Sequence, residues 1–366
     1  MREAFEENFT ARAELGAALA VILEGSTVVD VWGGFADAAR SRPWRENTLV
    51  NVFSVGKALA AACLLVLVSR RLLDLDDPVA RHWPQFTGAG KELITVRELL
   101  SHRAGLAAIR AELPEGALYD WQAVTRVLEA QAPWWTPGSG HGYHVHTFGF
   151  LVGELVRRVA GEPIGAVLRR ELGDALGAEL SFGLAPAERG RCAEYAFDAV
   201  VPTPSALGSA SGWGPLRRLA YLNPPGATGI GTVNTAAWRD AELPSANLHA
   251  DARSVARFYA GLMGHTRSPI DSAVCAEATR EASAGEDLVL ARPSRFGLGF
   301  QLTQPERPFG RGPSGFGHFG AGGSVGFADP DAGVAFAYVM NRGGPQWQDP
   351  RNRALIDALY DSLGAT

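Results

Sequence analysis

At 366 residues the chain can bury a large core, as one big domain or two. Hydrophobic residues supply 46% and charged residues 20%, the proportions of an ordinary soluble globular protein. A net charge of −5 without any basic run argues against nucleic acid as a partner. The longest strongly apolar run, 58–68, falls well short of the roughly twenty residues that span a bilayer, so no membrane segment is expected. Cys63, Cys192 and Cys275 are odd in number and far apart, which fits reduced thiols rather than a disulfide frame. The opening MREAFEENFTAR is charged and acidic, unlike a signal peptide, so a cytoplasmic, unanchored protein is expected.

In chain order, 2–15 reads as a short amphipathic helix. ALAVILEG and STVVDVWGG then read as two strands of a hairpin turning at Glu24–Gly25–Ser26. Residues 48–53 lead into a long apolar helix expected to end near Arg71, and ITVRELLSHRAGL has a helical period closed by Gly105. Helices are also expected over 120–132, stopped by Pro133, and over 148–159, 163–172 and 250–263. The Pro- and Gly-rich span 185–245 reads as long surface loops. SRFGLGFQL, SGFGHFG, GGSVGFADP and GVAFAYVMNR read as strands, and 351–363 as a closing amphipathic helix. Strand signals thus lie at the two ends of the chain and helices crowd the middle. The economical arrangement is α/β plus all-α: one antiparallel sheet built from 1–75 and 250–366, with a mostly helical insert over 76–249 and the active site between them.

The chemistry centres on VFSVGK. Ser54 and Lys57 stand three residues apart where the apolar helix begins, so the lysine lies one turn on, on the same side. A serine oxygen at a helix N-terminus beside an amine is what an activated nucleophile needs. Lysine occurs only at positions 57 and 91, and every other cationic side chain is arginine, which cannot deprotonate to act as a base.

Tyr143 lies on the loop WWTPGSGHGYHVHT. Near Lys57, the lysine's charge would favour the phenolate, which could take the Ser54 proton and return it to a leaving group. His141, His144 and His146 crowd the same loop, but no HExxH pattern or nearby cysteine joins them, so no metal is expected and their role is to hold Tyr143. Gly322–Gly323–Ser324–Val325–Gly326 matches the GxSxG nucleophile elbow. That elbow needs a helix after the serine and a later histidine, and both are missing here, so Ser324 reads as a decoy. His318–Phe319–Gly320–Ala321 lies on an expected strand, and the N–H groups of Ala321 and Ser54 could form an oxyanion hole. Trp134, Trp135 and Phe148 are candidate apolar pocket wall.

Together these residues resemble the serine β-lactamase/penicillin-binding-protein superfamily, and within it the family VIII carboxylesterase branch of EstB-like enzymes related to class C β-lactamases. Ser54–Val55–Gly56–Lys57 answers the SxxK motif, Tyr143 the tyrosine of YxN, and His318–Phe319–Gly320 the HxG variant of the KTG strand. LLDLDDPVARHWPQF, ITVRELLSHRAGL, AELPSAN and GAGGSVGFADPDAGVAFAYVMNR also look like this branch. The resemblance implies a β-lactamase/transpeptidase-like fold with Ser54 as acylated nucleophile, Lys57 and Tyr143 as the proton-handling pair, and the Ser54 and Ala321 amides as oxyanion donors. His318 and Gly320 would edge the substrate pocket, and no cofactor is implied.

Two departures bear on the substrate. Val145 stands where the YxN asparagine would grip an amide, and His318, mostly neutral at pH 7, stands where a lysine would hold a carboxylate. Both favour short-chain neutral esters as small-molecule substrates, handled by a monomer or small homo-oligomer. The rival readings are an acyltransferase using the same acyl-enzyme, a weak β-lactamase or D,D-peptidase, and a non-catalytic binding module.

Overall fold

Two strands from the N-terminal end and six from the C-terminal end share one antiparallel sheet in the computed structural model, which describes residues 1–197, 212–344 and 348–364. The N-terminal pair is β1 (Gly16–Leu23) and β2 (Ser26–Gly34). The others are β3 (Ser283–Glu286), β4 (Pro293–Phe296), β5 (Gln301–Leu302), β6 (Phe316–Phe319), β7 (Val325–Asp329) and β8 (Val334–Met340). The spatial order is β2-β1-β8-β7-β6-β5-β4-β3. β1 and β8 join the two ends of the chain, with Ala17 opposite Met340 and Leu23 opposite Val334. The β1–β2 turn places Glu24 at φ 46° and Gly25 at φ 82°, the left-handed pair that suits the twist of a tight hairpin.

β8 is buried at all seven positions, as a strand covered on both faces must be. One cover is α5 (Ala252–Leu262), which lies on β1, β7 and β8 and is capped by Asp251 accepting from Ser254 N at 2.7 Å. At the chain ends, α1 (Arg2–Ala11) packs on α6 (Pro350–Ser362).

α2 (Gly56–Ser69) is apolar all round and buried from Gly56 to Leu67. A helix without a polar face must sit inside the protein. It packs on α4 (Thr147–Ala160), which in turn meets α3 (Trp121–Ala130). Each buried leucine or valine contributes roughly 1.5–3 kcal/mol, so the packing around α2 can hold one amine, Lys57, out of water.

Most expected elements form, with informative differences. The 94–105 helix stops at Leu100 after a Thr95–Glu98 capping box, because His102 turns left-handed at φ 61°. The apolar helix begins at Gly56, so Ser54 lies in the turn before it rather than opening it. β3 went unread because SAGE carries neither alternation nor branched residues. Within the span read as loops, short helices form at Pro215–Leu222 and Ala236–Asp240, while 198–211 lies outside the described residues. All three cysteines are free and buried. Among the described residues no helix is long and apolar enough to cross a membrane.

Candidate active site

A small sheet of Val50–Asn51, His249–Ala250 and Leu180–Ser181 delivers the chain to Ser54. Val52 N–H donates to Leu248 O at 2.8 Å, and Phe53 then enters the left-handed region at φ 49°. A bulky residue rarely adopts that conformation unless its surroundings hold it there. Here the Phe53 ring packs edge-on against Tyr195 at 5.0 Å. The kink leaves Ser54 partly exposed at the mouth of α2, while Lys57 has no exposed surface.

Lys57 Nζ lies 3.1 Å from Ser54 Oγ and donates to Ser245 O at 3.0 Å. No carboxylate comes within ion-pair distance of it among the described residues, and burial holds its pKa well below the usual lysine range. The AELPSAN stretch is the seat for this amine. Asn247 braces it, accepting from Leu243 N at 2.9 Å and donating to Trp238 O at 2.8 Å. Asn51 donates to Ala246 O at 3.1 Å, and Ser245 Oγ accepts from Gly149 N on α4 at 2.7 Å.

The Tyr143 ring centroid is 4.8 Å from Lys57 Nζ. Its backbone N–H reaches both oxygens of the fully buried Asp287 at 3.1 Å, and its ring stacks on Phe296 at 5.9 Å. Burial pushes the phenol pKa up, and the hydrogen bond with Ser54 offsets this only in part. This corrects the expectation of a phenolate beside an ammonium: desolvation disfavours both charges, leaving a neutral phenol next to an amine driven toward its neutral form.

The loop histidines take separate partners. His141 Nε2 meets Ser294 Oγ at 2.9 Å, and that hydroxyl donates to Asp287 at 2.9 Å. His144 Nδ1 meets Gly142 O at 2.7 Å while its Nε2 accepts from Leu106 N at 3.2 Å, and His146 Nε2 meets Tyr221 O at 3.2 Å. No cluster of metal-ligating side chains occurs among the described residues.

His318, on β6, is 6.0 Å ring to ring from Tyr143. Its Nδ1 is 2.7 Å from Phe319 O, which assigns the proton there and leaves Nε2 a buried acceptor without a described partner. Burial and the neighbouring Lys57 pull its pKa down to about 3. Gly320 and Ala321 follow in a tight turn, and Ala321 is partly exposed like Ser54. Neither Ser54 N–H nor Ala321 N–H donates to a described backbone carbonyl.

The family model for beta-lactamase matches residues 2–361. The chain belongs to the beta-lactamase family. Over 350 residues it is 36% identical to the esterase/beta-lactamase LipL of Mycobacterium tuberculosis (strain ATCC 25618 / H37Rv), covering 93% of this chain and 80% of LipL. Among solved structures, a family VIII carboxylesterase matches with TM-score 0.88 at 39% identity, covering 98% of this chain and 96% of that one. A penicillin-binding-protein homologue from Caulobacter crescentus matches with TM-score 0.90 at 40% identity, covering 99% and 96%.

Within this beta-lactamase fold each of the three expected pocket aromatics has its own packing partners. Phe148 has no exposed surface and packs on His102 at 4.9 Å, so it belongs to the core. Trp134 stacks under Arg110 at 3.8 Å and donates to Ala108 O at 2.8 Å. Trp135 meets the His144 ring edge-on at 6.0 Å, behind the Tyr143 loop. Ser324 is fully buried and donates to Val52 O at 3.1 Å, as a structural tie. Sequence reasoning did not single out Ser245, Asp287 or His102, whose imidazole packs on Tyr143 at 5.2 Å.

Proposed function

We propose that this beta-lactamase-family protein is a serine hydrolase that cleaves short-chain carboxylic esters through an acyl-enzyme on Ser54. The observation that carries the reading is Lys57: an amine without exposed surface and, among the described residues, without a carboxylate partner, 3.1 Å from the hydroxyl it would deprotonate. The names of LipL and of the family VIII carboxylesterase support the substrate class.

In this reading Lys57 accepts the Ser54 proton as Oγ attacks the ester carbonyl. The N–H groups of Ser54 and Ala321 hold the oxyanion, each such donor contributing about 2.7–4 kcal/mol in the transition state. The C–O bond breaks as Tyr143 gives its phenolic proton to the departing alkoxide and is reprotonated from Lys57. Water then repeats the sequence on the acyl-enzyme, releasing the acid and Ser54. Substrate reaches Ser54 in the cleft between the sheet-bearing segments 1–75 and 250–366 and the helical stretch 76–249. Three free, buried cysteines accord with a reducing compartment and support a cytoplasmic location.

β-Lactam turnover is the second reading, favoured by the other half of LipL's name. Against it stand the neutral His318, which offers a carboxylate no charge, and Val145, which offers an amide no donor. The test is a panel of p-nitrophenyl esters and a chromogenic cephalosporin on wild type and Ser54→Ala. Faster turnover of the cephalosporin than of the acetate or butyrate would reverse the assignment.

A further inference from the structure

The turn that presents Ala321 has every carbonyl engaged, three of the four from outside. Gly320 O accepts from Gly323 N at 3.3 Å within the turn. Ala321 O accepts from Tyr195 Oη at 3.2 Å. Gly322 O accepts from Gly344 N at 2.9 Å and from Arg351 Nη2 at 3.3 Å, and Gly323 O accepts from Asn352 Nδ2 at 2.8 Å. The three side chains come from two distant places, the segment around Tyr195 and the first turn of α6. All three are buried.

Each gripping residue is itself held. Arg351 is fixed by Asp349 at 2.7 Å and by Glu14 at 3.0 Å, an ionic cluster with almost no exposed surface. Asn234 clamps the Tyr195 backbone, donating to its carbonyl at 2.9 Å and accepting from its N–H at 2.8 Å. The ring of Tyr195 also carries the left-handed Phe53 that precedes Ser54. One side chain therefore touches both halves of the oxyanion site, the Ser54 half through its ring and the Ala321 half through its hydroxyl. Gly322, at φ +84°, has no room for a side chain, because a Cβ there would collide with Tyr195 Oη.

A peptide plane carries the carbonyl of one residue and the N–H of the next. Ala321 N–H therefore moves with Gly320 O, which Gly323 N–H holds, and Gly323 N–H moves with Gly322 O, which Gly344 and Arg351 hold. Tyr195 fixes the plane on the other side of the Ala321 Cα. Donors aimed in advance at developing charge need no reorganisation when the reaction occurs. We propose that Tyr195, Arg351 and Asn352 are positioning residues for the oxyanion hole, with Tyr195 coupling its two donors. Their role is to hold the Ala321 amide and the Ser54 amide at one separation, so their loss weakens transition-state binding more than substrate binding. The proposal rests on the esterase reading above.

The test is Tyr195→Phe, which keeps the ring on Phe53 and removes only the hydroxyl, with Asn352→Ser and Arg351→Lys as second variants. Each is measured for kcat and KM on p-nitrophenyl butyrate, for the inhibition constant of a trifluoromethyl ketone, and for its melting temperature. The ketone's hemiketal oxyanion occupies the site that the tetrahedral intermediate would. The expected result for Tyr195→Phe is about a tenfold fall in kcat, KM within twofold, and a matching rise in the ketone's inhibition constant. Arg351→Lys, which keeps a donor, should lose less kcat than Arg351→Leu, which keeps none. Unchanged kcat and ketone affinity in Tyr195→Phe and Asn352→Ser, with wild type active, would overturn this inference alone. Losses in kcat that follow the melting temperature without altering ketone affinity relative to substrate would also overturn it. A wild type that neither hydrolyses the ester nor binds the ketone would overturn the functional reading and this inference together.

Discussion

Replacing Lys57 by methionine should abolish catalysis and yet stabilise the protein at neutral pH. A base whose pKa is lowered by folding costs up to about 1.4 kcal/mol of folding free energy per unit of depression while the unfolded chain holds the proton. The burial of Lys57, with no carboxylate beside it among the described residues, imposes that cost. Methionine fills similar space and removes it, but leaves Ser245 O without the donor that now sits at 3.0 Å. An unpaired buried carbonyl costs about 1–3 kcal/mol. The variant should therefore be more stable than wild type at pH 7, by the protonation penalty less the cost of that carbonyl.

The sign reverses with pH. Folding lowers the pKa of this base, so between its folded and unfolded values the unfolded chain binds the extra proton. Wild-type stability then rises relative to the variant by up to about 1.4 kcal/mol per pH unit, until the unfolded lysine also loses its proton. Near pH 10.5 only the lost hydrogen bond remains, and wild type should be the more stable by about 1–3 kcal/mol. Urea denaturation of both proteins from pH 6 to 10.5 reads the difference directly, and groups common to both cancel. A difference that stays constant across that range would refute the claim that Lys57 is held uncharged.

Tyr143→Phe keeps the stack on Phe296 and loses the proton carrier; kcat/KM for esters should fall at least about a hundredfold while the melting temperature barely moves. His318→Lys combined with Val145→Asn supplies a cation and a side-chain amide at positions where this chain has neither. The ratio of cephalosporin to ester turnover should rise at least about tenfold, and an unchanged ratio would show that these positions do not set substrate class. Ser324→Ala removes the hydrogen bond to Val52 O and should cost about 1 kcal/mol in denaturation while leaving fluorophosphonate labelling intact. Loss of labelling there with the fold preserved would reopen the case for Ser324.

Features with local causes were legible in the sequence. The Ser54–Lys57 spacing, the apolar α2 and the strands β1, β2 and β6–β8 each declare themselves within a dozen residues. What was hidden depends on distant contacts. Ser245 supplies a backbone carbonyl, which any residue carries, so its side chain gives no signal. Asp287 lies 144 residues from the tyrosine whose amide it holds. The charge state of the Lys57–Tyr143 pair was misread because proximity was visible and the depth of burial was not: an exposed ammonium would favour a phenolate, while a dry site favours neither ion. His102 defeats the helical period of ITVRELLSHRAGL because the chain must leave the helix to bring an imidazole against Tyr143.

The central claim is a covalent bond between substrate acyl group and Ser54 Oγ. Rapid acid quench after mixing with p-nitrophenyl butyrate, followed by peptide mass mapping, tests it most directly. Wild type should carry a butyryl group on the peptide containing Ser54, and Ser54→Ala should carry none. Butyryl on Ser324, or steady hydrolysis with an unmodified Ser54 peptide at every quench time, would contradict the account.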